Sequence, residues 1–272
     1  MTDRASRFTP QQIGSIPVRF PSGAPIPHIS DAMTNPYIKT FIPKGVHVEG
    51  MFFFPQEKTA FPAVVLLHER WGLTVQVKEF AGRLACEGYA VLVPNLYVRQ
   101  GGMVTANAEV ADALMARLKE TDVLQDLTSC CEYLNTQDQV KKNVHAVMGF
   151  GMGGTFALRF GCQRRRLRGV VSFYGDMVSP PTLLKDLFCP VLYHRPGDDK
   201  VVPEGNVAQL QQMAREHGKR VEVTTYDGAP HGFMNSLRPE QYRKDAADAA
   251  WERTVTFLSE CFKADLAAAP AR

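Results

Sequence analysis

The sequence predicts an α/β fold: a doubly wound, mostly parallel sheet flanked by helices, with an antiparallel hairpin towards its N-terminal side. Three observations carry this. Short apolar runs at 63–67, 90–94, 144–148 and 169–174 have the length and continuity of strands buried on both faces. Amphipathic helical patterns separate them, as crossover connections between parallel strands require. Polar residues follow directly at the C-terminal ends of several runs, which is where such sheets assemble their sites.

The chain has 272 residues, of which 45% are apolar, enough for one large core. Lys and Arg number 31 against 28 Asp and Glu, and a net charge of +3 implies neither nucleic acid nor an anionic membrane surface as a partner. The cluster Arg164, Arg165, Arg166 and Arg168 follows a helical pattern, where cations complement the last carbonyls. The six cysteines form neither a dense secreted framework nor a C-x-x-C metal pattern, so reduced thiols and a cytoplasmic location are expected, with no metal and no cofactor. No apolar run reads as a signal peptide or a membrane span.

Residues 1–36, with prolines at 10, 17, 21, 25, 27 and 36, read as an N-terminal arm without chemistry. The domain is expected over 37–263, followed by a tail at 264–272. Alternation over 37–42 and 46–54, around Pro43, Lys44 and Gly45, predicts the hairpin. The strand at 63–67 ends in His68, Glu69, Arg70, Trp71 and Gly72, and a helix over 75–87 is closed by Gly88. The strand at 90–94 runs into Asn95, Leu96, Tyr97, Val98 and Arg99. Helices over 106–119 and 121–136 lead to the strand at 144–148. Beyond a helix over 155–161 come strands at 169–174, 190–194 and 221–226, with a short helix near 180–187 and a longer one over 204–217. A helix over 239–262 closes the pattern.

The stretch Val147, Met148, Gly149, Phe150, Gly151, Met152, Gly153, Gly154 reads as a strand, a sharp glycine turn and a helix start. That is the layout of a nucleophile elbow, in which a Ser or Cys between glycines stands exposed above the sheet. Here that place holds Gly151. Glycine turns also cradle phosphates, but no Lys-Ser or Lys-Thr follows, and the turn comes late in the chain rather than after the first strand. Downstream, Asp199 and His231 follow later strands, so nucleophile position, acid and His occur in the order of an α/β-hydrolase. In that arrangement His takes a proton, the acid fixes its tautomer, and backbone N–H groups hold the oxyanion. Each residue also has a bland reading. His231 is then a loop histidine, Asp199 or its neighbour Asp198 an Asx-turn residue, and Glu69 a structural carboxylate paired with Arg70 or Arg99.

Over about 37–263 the sequence resembles the dienelactone hydrolase family of α/β-hydrolases. The resemblance rests on His68 to Gly72, Asn95 to Arg99, Gly149 to Gly154, Phe173-Tyr174-Gly175, Gly197 to Pro203, and His231-Gly232-Phe233. It implies hydrolysis of small esters or lactones by a Cys-His-Asp triad with an assisting glutamate. These roles fall on Gly151, His231, Asp199 and Glu69. The implied oxyanion donors are the backbone N–H groups of Met152 and Arg70, and the implied substrate contacts include Trp71, Tyr97 and Asn235. Asn235 stands where dienelactone-cleaving members carry an Arg, and 106–116 lacks their second one. The expected partner is a small ester, lactone or carboxylate. Three readings of Gly151 stay open: water attacks in place of a side chain, the pocket binds without turnover, or the glycine is an introduced substitution.

Overall fold

The computed structural model describes residues 6–23 and 46–268. They form eight strands: β1 (Ile13–Pro21), β2 (His47–Pro55), β3 (Phe61–Leu67), β4 (Ala90–Pro94), β5 (Val140–Phe150), β6 (Leu167–Phe173), β7 (Val191–Asp198) and β8 (Val221–Pro230). The α-helices are α1 (Val75–Cys86), α2 (Ala108–Ala116), α3 (Glu120–Asn135), α4 (Met152–Gly161), α5 (Glu204–Glu216) and α6 (Lys244–Ala268). The chain divides into two compact units, Met1–Leu66 with Trp71–Asn143, and Leu67–Arg70 with Val144–Arg272.

In the first unit the strand order is β1-β2-β4-β3. β1 and β2 form an antiparallel pair with Ile13 opposite Pro55 and Pro21 opposite His47, β2 is antiparallel to β4, and β4 is parallel to β3. The hairpin's first strand therefore lies within the stretch read from sequence as an arm, and the strand expected at 37–42 falls outside the described residues. The prolines hid β1. An edge strand tolerates Pro17 and Pro21 because it need not donate a full ladder of N–H groups, and its inward side chains, Val18 and Phe20, are buried. Phe20 stacks on Tyr133 of α3 at 4.4 Å between ring centroids. Arg99 ion-pairs with the buried Asp126 of α3, which Ser22 also contacts.

The second unit contains the order β5-β6-β7-β8, each strand parallel to the next. β5, β6 and β7 are almost wholly buried over their apolar runs, which explains the absence of alternation in their sequences. α4 packs on β6, and α6 packs on β6 and β7. α6 starts at Lys244 rather than near 239, because the segment after β8 first makes successive tight turns: Asn235 N–H to Gly232 O, Arg238 N–H to Asn235 O, and Gln241 N–H to Arg238 O. No helix among the described residues is long and apolar enough to cross a membrane.

Candidate active site

The turn from β5 into α4 is built by close approach. A Cβ on Gly149 would lie 2.2 Å from Gly153 O, and one on Gly153 would lie 2.6 Å from His68 O, so neither position accepts a side chain. Gly151 differs. Its φ of 50° and ψ of −118° are the strained backbone of an elbow tip, yet a Cβ there would meet nothing nearer than His231 Nε2 at 3.7 Å and Tyr174 Cε2 at 3.9 Å. The space a nucleophile's side chain needs is thus present, beside an imidazole nitrogen. Gly151 N–H donates to Phe173 O at 2.9 Å and its carbonyl accepts from Thr155 N–H at 3.0 Å, which ties the tip to β6 and to the first turn of α4.

Asp199 follows β7 directly, and His231 follows β8. His231 Nδ1 lies 3.2 and 3.1 Å from the two Asp199 carboxylate oxygens, so it is the Nδ1–H that donates and Nε2 carries the lone pair. Asp199 Oδ1 also accepts from Val201 N–H at 2.8 Å and Val202 N–H at 3.0 Å. Burial pushes the Asp199 carboxyl up, but the hydrogen bonds from His231, Val202 and Val201 outweigh it and hold its pKa below the usual value. Asp198 is exposed and pairs in the ladder opposite Pro230. Of the two adjacent aspartates, Asp199 makes the contact.

Glu69 follows β3 and is held by side chains rather than by backbone. Tyr174 Oη donates to its Oε1 at 2.7 Å and Asn235 Nδ2 donates to its Oε2 at 3.0 Å. Tyr174, just past β6, is fully buried and has a φ of 43°, a left-handed conformation costly for a bulky residue. Burial first, and then the Glu69 charge, push its phenol well above the ordinary value, so it stays a donor. Its ring centroid is 4.8 Å from that of His231. Tyr174 therefore touches Glu69, His231 and the space at Gly151, a role that sequence reasoning did not give it. Its only sequence signal was membership of the Phe173-Tyr174-Gly175 segment.

Met152 is the first residue of α4, at the positive end of the helix dipole, and Arg70 adjoins Glu69. Asn235 is buried, with Oδ1 accepting from Leu237 N–H at 3.1 Å and Nδ2 on Glu69, so both ends of its amide are engaged. Trp71 and Tyr97 belong to the first unit, where both are buried. The six cysteines are all buried free thiols, and burial raises Cys162 to about 11 and Cys189 to about 12. Neither presents a thiolate nucleophile near neutral pH. Among the described residues no group of three or more His, Cys, Asp or Glu is placed to hold a metal ion.

A carboxylate-backed imidazole faces an elbow tip, an arrangement that acyl-transfer hydrolases use. The profile of the dienelactone hydrolase family matches residues 48–262. A relative from Saccharolobus solfataricus, provisionally named a carboxymethylenebutenolidase, is 30% identical over 237 residues, covering 74% of this chain and 90% of its own. A dienelactone hydrolase-like promiscuous phosphotriesterase from metagenomic libraries superposes with a TM-score of 0.77 at 20% identity, over 92% of this chain and 99% of its own. A provisionally assigned dienelactone hydrolase from Klebsiella pneumoniae does so with a TM-score of 0.76 at 21% identity, over 90% and 99%. Fold and sequence together place this chain in the dienelactone hydrolase family, on the α/β-hydrolase fold.

Proposed function

We propose that this chain hydrolyses small carboxylic esters or lactones by direct attack of water at the position where other triad enzymes carry a side-chain nucleophile. The observation that carries the reading is the placement of His231: Nδ1 on Asp199, and Nε2 3.7 Å from where the first side-chain atom of residue 151 would stand. A base oriented in this way has a use only if something at that spot gives up a proton. With glycine there, the donor is water.

In the proposed step His231 Nε2 takes one proton from water as the water oxygen bonds to the carbonyl carbon. Backbone N–H groups of Met152 and Arg70 stabilise the oxyanion. Collapse breaks the bond to the leaving oxygen, which receives the proton from the imidazolium, releasing acid and alcohol, or the opened hydroxy acid from a lactone. Asp199 keeps Nδ1–H in place and stabilises the transient imidazolium charge. Without a covalent intermediate the rate is modest. Oxyanion stabilisation and binding alone leave roughly a thousand- to ten-thousandfold acceleration in triad enzymes stripped of a member.

The test is a panel of p-nitrophenyl esters and small lactones assayed with the purified protein and with His231→Ala. Turnover above buffer that falls by about a hundredfold or to background in the variant supports the reading. Equal rates in the two proteins would leave a binding module on a hydrolase fold as the account of this site.

A further inference from the structure

Glu69 is clamped from two sides by buried donors. Tyr174 Oη reaches one carboxylate oxygen and Asn235 Nδ2 the other, and Asn235 is itself pinned through Oδ1 to Leu237 N–H. A side chain held at both oxygens does not swing away when a ligand enters. The Tyr174 ring that carries one of the donors also borders the space at Gly151, so the fixed carboxylate stands one phenol ring from that space. Asp199 supplies a second anion behind His231. The amide of Asn235 has one N–H on Glu69 and its oxygen on Leu237 N–H, so it is oriented by the clamp rather than by a ligand.

We propose that the Tyr174–Glu69–Asn235 clamp sets the substrate class: the site accepts uncharged esters or lactones and rejects those carrying a carboxylate of their own. This rests on the hydrolytic reading for its chemistry but not for its binding preference. A carboxylate brought within about 8 Å of a fixed like charge at an effective dielectric of about 20 to 40 is disfavoured by roughly six- to thirtyfold. Glu69 selects by charge, and Tyr174 and Asn235 are positioning residues acting through it.

The experiment compares two matched pairs of probes. Hydrolysis of p-nitrophenyl butyrate and of mono-p-nitrophenyl succinate is measured as kcat/KM, each relative to its spontaneous rate, for the protein and for Glu69→Gln. Binding of butyramide and of succinamate, which are not turned over, is measured by saturation-transfer NMR on the same samples. The expected result is a preference of about sixfold or more for the neutral member of each pair, shrinking towards unity in Glu69→Gln. If that variant does not fold, the ionic-strength dependence of the native preference replaces it, and the preference should fall between low and high salt. No ester turnover together with a retained neutral preference in the NMR pair would sink the hydrolytic reading and leave the charge assignment standing. Equal binding of the two amides, a preference for succinamate, no binding of either, or a preference untouched by both Glu69→Gln and salt would overturn the proposal.

Discussion

Two histidines of the second unit, His194 and His231, show how the same side chain becomes core in one place and reagent in another. Thr254 donates its hydroxyl proton to Ala250 O, so it accepts from His194 Nε2–H at 2.9 Å, and Nδ1 then accepts from Tyr226 Oη at 2.8 Å. Both nitrogens are used by neutral partners, the ring stacks on Phe173 at 4.1 Å, and burial pushes its pKa down to about 3. His231 carries the opposite tautomer. Its Nδ1–H is spent on a carboxylate, a quarter of its side chain is exposed, and Nε2 faces Gly151. A carboxylate partner and one open nitrogen distinguish a base from a core residue better than burial alone.

The largest expected effect comes from giving the open nitrogen a partner. Gly151→Cys places a thiol beside His231, and ester hydrolysis should rise by about a thousandfold and become sensitive to iodoacetamide. The φ of 50° at that position costs a non-glycine residue about 1 to 3 kcal/mol, to be read from urea melts. A Gly151→Cys protein that folds and presents a titratable thiol without any gain would mean that the two histidines differ less than the geometry implies.

Next, the pair should separate under truncation. His194→Ala leaves a cavity and strands the Tyr226 hydroxyl proton, and should cost about 3 kcal/mol of unfolding free energy. His231→Ala should cost under about 1 kcal/mol while removing turnover. Chemical denaturation and an ester assay on both variants would expose a reversed pattern.

Acidification tests the buried histidines. His194 and His68, the latter lowered by burial to about 4, bind protons in the unfolded chain near pH 6.5 but not in the folded one. Their contribution is therefore full above about 6.5 and is lost as pH falls through that value towards 4 and 3. Urea midpoints should decline over this range, and less steeply in His194→Gln. The smallest effect belongs to Ser172, a buried hydroxyl under the elbow that meets no hydrogen-bond partner among the described residues. Ser172→Ala should be neutral or stabilising by up to about 1 kcal/mol, since it removes an unsatisfied polar group, and differential scanning calorimetry would show the opposite shift if the hydroxyl were in use.

What the sequence made legible was local. Buried parallel strands are continuous apolar runs, so the residues just past them, Glu69, Asp199 and His231, stand out, and the elbow is spelled by consecutive glycines. Asp198 and Asp199 looked alike because both follow the same apolar run, and only the ladder position of Asp198 and the turn N–H groups on Asp199 separate them. Tyr174 and Asn235 act on Glu69 across 105 and 166 residues of sequence, and no periodicity records such a contact. Asn235, which the family resemblance places at the substrate, has one amide N–H on Glu69. β1 was missed because proline density argues for a loop, whereas an edge strand admits it.

The central claim, hydrolysis by water oriented on His231 without a covalent intermediate, is met most directly by following p-nitrophenyl acetate turnover while recording the intact mass of the protein. A progress curve linear from the first turnover, with no acetyl adduct and with the rate abolished in His231→Ala, is the result this account predicts. A burst accompanied by an acetylated cysteine, or a rate unchanged in His231→Ala, would contradict it.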